Sequence, residues 1–159
     1  MNPAQIHLAV NHAPLFCALI AAGLIIGALV RRNRSFVYAA IWLSVVGAIL
    51  AIVAQQSGEA AEHILEGIEG INSSLIEAHE EAAKTAMLSS IVTAGIGLGI
   101  VFGRRWWGEH RIWGVTVLFL GALIATVVFM GTAAHKGGLI RHSAELENRL
   151  PVSPPTSEE

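Results

Sequence analysis

The chain of 159 residues carries seven histidines, and these are its side chains best suited to chemistry. An imidazole ligates haem iron, zinc or copper and changes charge near neutrality. His7, His12, His63, His79, His135 and His142 fall at one end of four apolar segments, and only His110 falls at the other. At ~1.5 Å rise per residue, His79 lies ~37 Å along its helix from Arg104, His135 ~36 Å from Arg111, and His7 ~36 Å from Arg31. On the same scale His12 is ~7 Å deeper and His63 about a turn higher. Several helices therefore carry imidazoles to one layer. Such a layer suits one or two noncovalent haems held by axial imidazoles. It also suits zinc, which takes three or four His, Cys, Asp or Glu ligands, with Glu59, Glu62, Glu66 and Glu80 as sources of carboxylate.

The histidines are not equivalent. His7 and His12 are five residues apart, so on one helix they point ~140° away from each other and at most one faces the bundle axis. His12 is favoured, because it is followed by Pro14 in a charge-free stretch, and an ionisable group at membrane depth is a functional candidate by default. Pro14 also deprives the Val10 carbonyl of its helical donor, which kinks or starts a helix beside His12. His12, His79 and His135 are thus the primary ligand candidates, with His63 next. Diagonal pairing would set His12 against His79 and His63 against His135. A lone histidine at a bundle edge is more often an interfacial polar residue than a ligand, and His63 and His142 taken singly read that way. Gly131–Ala134 and Ala78, Ala82 and Ala83 are small residues beside His135 and His79.

The elements that must position these groups are membrane helices. Apolar residues make up 53% of the chain and charged ones 14%, with mean hydropathy +0.59, well short of the ~25% charge of a soluble domain. The segments 13–30, 36–54, 85–103 and 112–134 contain no charge, and each approaches the ~20 residues needed to cross a bilayer. A soluble bundle would show a polar stripe on each helix; none is present. A secretory signal would carry a basic stretch before its apolar run, whereas here Arg31, Arg32 and Arg34 follow it. Those arginines, with Arg104, Arg105 and Arg111, occupy two short loops. The positive-inside rule therefore makes these loops cytoplasmic and both termini periplasmic. The expected fold is all-α: a four-helix transmembrane bundle, up-down-up-down, over residues 1–146 as one domain.

Between the second and third spans, residues 57–84 carry Glu59, Glu62, His63, Glu66 and Glu69 at helical spacing, which predicts an amphipathic outer-face segment, either an extension of the second helix or an interfacial helix. Gly70, Asn72 and Ser73 suggest a turn, and Ser74 to Glu77 matches a capping box starting the third helix near Leu75. Lys136-Gly137-Gly138 predicts the stop of the fourth helix, and the Pro-rich end, 147–159, a disordered tail. Gly95, Gly99 and Gly103, like Gly23 and Gly27, recur every four residues and predict close helix approach in lipid. No internal repeat is visible.

Several chemistries are excluded. Cys17 is the sole cysteine and the chain has no Asp. This removes a disulfide framework, a CxxC pair, covalent c-type haem and a Ser-His-Asp triad. There is no HExxH and no phosphate loop, and the net charge of −2 gives no footprint for nucleic acid.

The start Ile6-His7-Leu-Ala-Val-Asn-His12-Ala-Pro14 resembles the His-x4-His-x-Pro opening of a widespread bacterial family of small four-helix inner-membrane proteins of unassigned function. Gln56-Ser57-Gly58-Glu59, His79, and His135-Lys-Gly137-Gly138-Leu-Ile-Arg-His142 extend the resemblance over residues 5–145. It implies a b-type cytochrome-like haem binder. The combined expectation is a multi-pass bacterial inner-membrane protein, an electron carrier or redox subunit rather than an independent enzyme being favoured with that question left open, holding one or two haem b groups near the periplasmic face. Its partners would be the lipid bilayer and a periplasmic redox protein or larger membrane complex, with room for a homo-oligomer. The alternatives are an outer-face zinc or copper site and a structural membrane anchor without cofactor.

Overall fold

The computed structural model describes residues 2–65 and 73–147, and side chains over residues 2–61 and 73–140. The described residues form α1 (Pro3–Val10), α2 (Ala13–Arg31), α3 (Arg34–Leu65), α4 (Ser73–Gly103) and α5 (Glu109–Glu147). Four stretches, Pro3–Arg31, Arg34–Ala61, Ser73–Gly103 and Glu109–Ile140, are long and apolar enough to cross a membrane. Two residues join α2 to α3 and five join α4 to α5, so each pair is antiparallel. The helices pack in the ring α2–α3–α4–α5, with α5 returning to α2 and α1 lying on α3.

Inside and outside are reversed relative to a water-soluble bundle. Large apolar side chains such as Phe16, Trp42, Leu88, Val92, Leu118 and Val128 are exposed, whereas Ser44, Ser90, Thr93, Thr116 and Thr126 are buried. Lipid gains nothing by driving apolar groups inward, so association rests on close packing and hydroxyl bonds. Thr93 and Thr126 hydroxyls lie 2.9 Å apart, and Ser89 lies 2.8 Å from Thr126, joining α4 to α5. Ser90 and Thr116 donate back to the carbonyls of Ala86 and Ile112, which satisfies them within their own helices. The four long apolar helices and this inverted surface fit a multi-pass membrane protein.

The core divides into two parts. Near the arginine-rich end Ile25, Ile41, Ile100, Phe119 and Leu123 form a bulky cluster. Towards the histidine-bearing end Ala18, Ala51, Ala86 and Ala133 pack with Met130, and these thin side chains let the helices approach.

Some boundaries agree with the sequence expectation and others differ. As Pro14 predicts, a helix starts beside His12: the first span is two helices broken at Asn11 and His12, with Pro14 in the first turn of α2, where its missing N–H is harmless. Asn2 and Gln5 form a capping box on α1, with Pro3 opening the helix, so eight residues hold a helix of their own. Helix α5 does not stop at Lys136-Gly137-Gly138 but runs on to Glu147; membrane-level packing on α4 outweighs the propensity cost of two glycines, about 1 kcal/mol each. The second span continues as a helix to Leu65, and α4 begins at Ser73, two residues before the expected start. The turn expected at Gly70 and Asn72, and the tail beyond Glu147, lie outside the described residues.

The glycine stripe holds in part: a Cβ at Gly27 would lie 3.3 Å from Phe36 and one at Gly103 2.7 Å from Trp107, whereas at Gly23, Gly95 or Gly99 it would meet nothing within 4 Å, so these three do not mediate helix contact. Close approach instead occurs at Gly97, where a Cβ would lie 3.1 Å from Phe119 and 3.2 Å from Ile41, and at Gly47, 3.0 Å from Cys17 Cβ. Gly97→Ala should therefore lose about 1 kcal/mol net, overpacking of 1–3 kcal/mol against a helix-propensity gain near 1. Gly99→Ala should be neutral or slightly stabilising. Reversible unfolding in mixed micelles checks the contrast; equal behaviour of the two variants would refute the register.

Candidate functional site

Because α1 is separate from α2, it can lie against α3 on its own axis, and that places His7 over the turn Ala54–Gly58. His7 Nδ1 is 2.9 Å from the Ala54 carbonyl. A carbonyl only accepts, so Nδ1 donates here, and Nε2 is the ring nitrogen left for another partner. On the other side of the bundle His79 of α4 does the same with α5: its Nδ1 is 2.9 Å from the Ala133 carbonyl.

Each ring also rests on a glycine four residues beyond its acceptor. A Cβ at Gly58 would lie 3.1 Å from both Cε1 and Nδ1 of His7, and one at Gly137 would lie 3.0 Å from Cε1 of His79. Helical side chains lean towards the N-terminus, so the residue at i+4 covers the carbonyl of residue i. Glycine at i+4 leaves that carbonyl open to an outside donor and gives the ring a flat seat. The two seats bring the imidazoles to a centroid separation of 6.4 Å with planes 85° apart, and both rings are half-buried.

Other polar groups brace this layer. Lys136 donates to the Ala78 carbonyl at 3.3 Å, a second tie between α5 and α4 beside His79. Ser57 donates to the Ala54 carbonyl at 3.1 Å. Gln55, next to Ala54 and 8% exposed, donates to Glu59 at 2.9 Å. Its Oε1 is the one buried side-chain acceptor without a donor among the described residues.

Of the histidines singled out from the sequence, only His79 belongs to this pair. His12 caps the start of α2, is exposed, and hydrogen-bonds the neighbouring Asn11 side chain. His135 is exposed on α5, although it sits between Ala133 and Gly137. His12, His79 and His135 are therefore not brought together, and the inward choice of His12 over His7 is reversed. The break before Pro14 is the reason: it turns His12 into a helix end and frees α1 to follow α3. The backbone of His63 lies in α3 and that of His142 in α5, and their side chains lie outside the described residues. Among the described residues no three His, Cys, Asp or Glu side chains are grouped to hold one metal ion.

The seats themselves had a sequence signal. Ala54-Gln-Gln-Ser-Gly58 and Ala133-Ala-His-Lys-Gly137 share the pattern Ala-x3-Gly, and the structure gives both the same task. The chain thus contains a geometric duplication, imidazole–carbonyl–glycine on α1/α3 and again on α4/α5, that no longer sequence similarity announces. His7, Gly58, His79 and Gly137 are also among the residues quoted for the family resemblance. No family model, curated protein or solved structure matches the chain; four apolar helices are what it shares with small membrane families of unassigned function.

In the full chain with 15N-labelled histidine, His7 and His79 should both give Nδ1-protonated spectra at neutral pH. Gly137→Val, whose side chain takes the place of the His79 ring edge, should abolish that signature for His79 and leave His7 unchanged. An Nε2-protonated His79 in the unmodified protein would contradict the carbonyl bond.

Proposed function

We propose that this chain is a b-type cytochrome-like electron-transfer protein, or a subunit of one, in which His7 and His79 would hold one noncovalent haem. The observation that carries this reading is the matched pair of imidazoles, each with Nδ1–H held by a backbone carbonyl and each seated on a glycine. Metal-ligating histidines almost always donate their second ring nitrogen to such a partner, which fixes the tautomer and raises ligand basicity.

The donor set and its surroundings support the fit. The 6.4 Å separation of the ring centres is short enough that His7 and His79 would both reach one bound group, and a transition-metal ion there would take imidazole nitrogen readily. Gly58 and Gly137 leave room that a Cβ would fill, and Gln55 Oε1 is a buried acceptor in want of a donor. When bound, haem iron supplies one-electron transfer with a potential set by its ligands, hydrogen bonds and burial. The chain's own residues hold and orient the group and limit water around it.

The arginines support an orientation with the histidine-bearing end at the periplasmic face of a bacterial inner membrane. A periplasmic redox protein or a larger membrane complex would then exchange electrons there. A second reading rests on the same geometry: an edge-to-face ring pair at 4.5–7 Å is a stabilising contact in its own right, and the pair would pin α1 to α4 without cofactor.

The test is the absorption spectrum of the full chain purified from haem-supplied cells, with elemental analysis for iron, zinc and copper. Stoichiometric iron, a Soret band and α-bands on dithionite reduction are expected. His7→Ala and His79→Ala should each abolish or reshape the spectrum, while His12→Ala and His135→Ala leave it intact. A colourless, iron-free protein overturns the haem reading. Stoichiometric zinc or copper would put a metal site in its place, and no metal would leave the pin.

A further inference from the structure

The opposite end of the bundle holds a second organised cluster. Arg34 at the start of α3, Tyr38 one turn on, Arg104 just past α4 and Trp113 in α5 line a cleft floored by buried Val37 and Ile100. Arg104 donates to Tyr38 Oη at 3.0 Å and lies 5.8 Å from the centre of that ring. Arg32 stacks over Trp113 at 5.1 Å. Two guanidiniums, Arg34 and Arg104, from the two helix connections thus line one cleft, and Arg32 lies beside it on Trp113. Glu109, 3.1 Å from Arg34, is the sole carboxylate in the stretches 31–34 and 104–111, which hold six arginines.

The backbone adds an independent sign. Arg32 ends α2 in the left-handed region, φ 50° and ψ 38°, and is the one non-glycine residue with positive φ among those described. Glycine ordinarily takes this position because a side chain is strained there. An arginine in its place puts a charged group over the cleft wall.

We propose that this cleft binds the phosphate of an anionic phospholipid headgroup, with Arg34 and Arg104 as its direct donors and Arg32 as a supporting charge. A guanidinium fork matches phosphate oxygens in geometry and charge, and basic pockets at helix ends are suited to anionic lipid heads. A lipid is chosen over a free anion because of where the cleft leads. Below Tyr38 the same face of α3 continues through Trp42, Val46 and Ile49, which are 59%, 47% and 56% exposed. These recur at helical spacing and form an apolar track one acyl chain can follow. The site is separate from the imidazole pair and does not depend on what that pair binds.

Native mass spectrometry of the full chain in detergent, titrated with short-chain phosphatidylglycerol, phosphatidylcholine or inorganic phosphate, tests the assignment. Phosphatidylglycerol should bind at least tenfold more tightly than either alternative. The double variant Arg34→Gln/Arg104→Gln should lose that preference, and Arg105→Gln/Arg111→Gln, which removes equal charge from the same end, should keep it. Equal binding of the two lipids overturns the site. Equal loss in both double variants replaces it with diffuse rim charge, and phosphate competing on a par with phosphatidylglycerol makes the free anion the occupant.

Discussion

A carbonyl already bonded within its own helix can accept a second donor only if nothing covers it, and the histidine-bearing end of this protein depends on that constraint. In hydrocarbon every backbone polar group must be satisfied inside the element that carries it, so a membrane helix offers few footholds to a polar side chain from elsewhere. Removing the Cβ at i+4 creates one. Ala54 with Gly58, and Ala133 with Gly137, each provide an open carbonyl and a flat seat. The thin alanine cluster beneath them lets neighbouring backbones come near enough for an imidazole to span the gap. Remove either glycine and the ring has neither its bond nor its place.

The architecture was legible in the sequence because its causes are local and repeated. Charge-free runs of bilayer length, separated by short arginine loops, admit few arrangements, and the four helices lie where those runs lie. Their ends were less legible. Gly137 and Gly138 read as a stop because glycine is costly in an isolated helix, but here Gly137 seats against His79 of α4 and the helix runs through. The layer of histidines was legible from depth alone. Which histidines turn inward was not, since that depends on rotation about each helix axis. One interruption, at Asn11 and His12, reset that rotation for His7. The acceptors were invisible for a simpler reason: they are main-chain carbonyls of alanines, and only the recurrence of Ala-x3-Gly marks them.

The glycines show how easily spacing misleads in a membrane helix. Gly95 and Gly99 have the four-residue interval of an association motif, yet they face open space. Gly97, midway between them and on the other side of α4, meets Phe119 and Ile41. Lipid-facing and bundle-facing surfaces are both apolar, so composition does not tell them apart, and small residues are tolerated on either. What distinguishes the packed face is the pair of buried hydroxyls, Ser90 and Thr93, on the same side of α4 as Gly97 and opposite Thr126 on α5. A hydroxyl exposed to acyl chains would have to bond back to its own helix; one turned inward can also bond across to a neighbour, so hydroxyls are the better guide to rotation.

The two ends also divide the labour of holding the bundle. At the arginine-rich end bulky Ile25, Ile41, Ile100 and Phe119 fill the interior, and the charges stay outside it, stacked on Trp113 and Tyr38. Charged groups there remain in contact with headgroups and water and cost little. At the other end small residues fill the interior and two titratable rings occupy the space that large side chains would otherwise take. Loss of packing volume there is offset by directional bonds to carbonyls. Such an end is intrinsically the looser of the two against apolar repacking and the more specific in orientation.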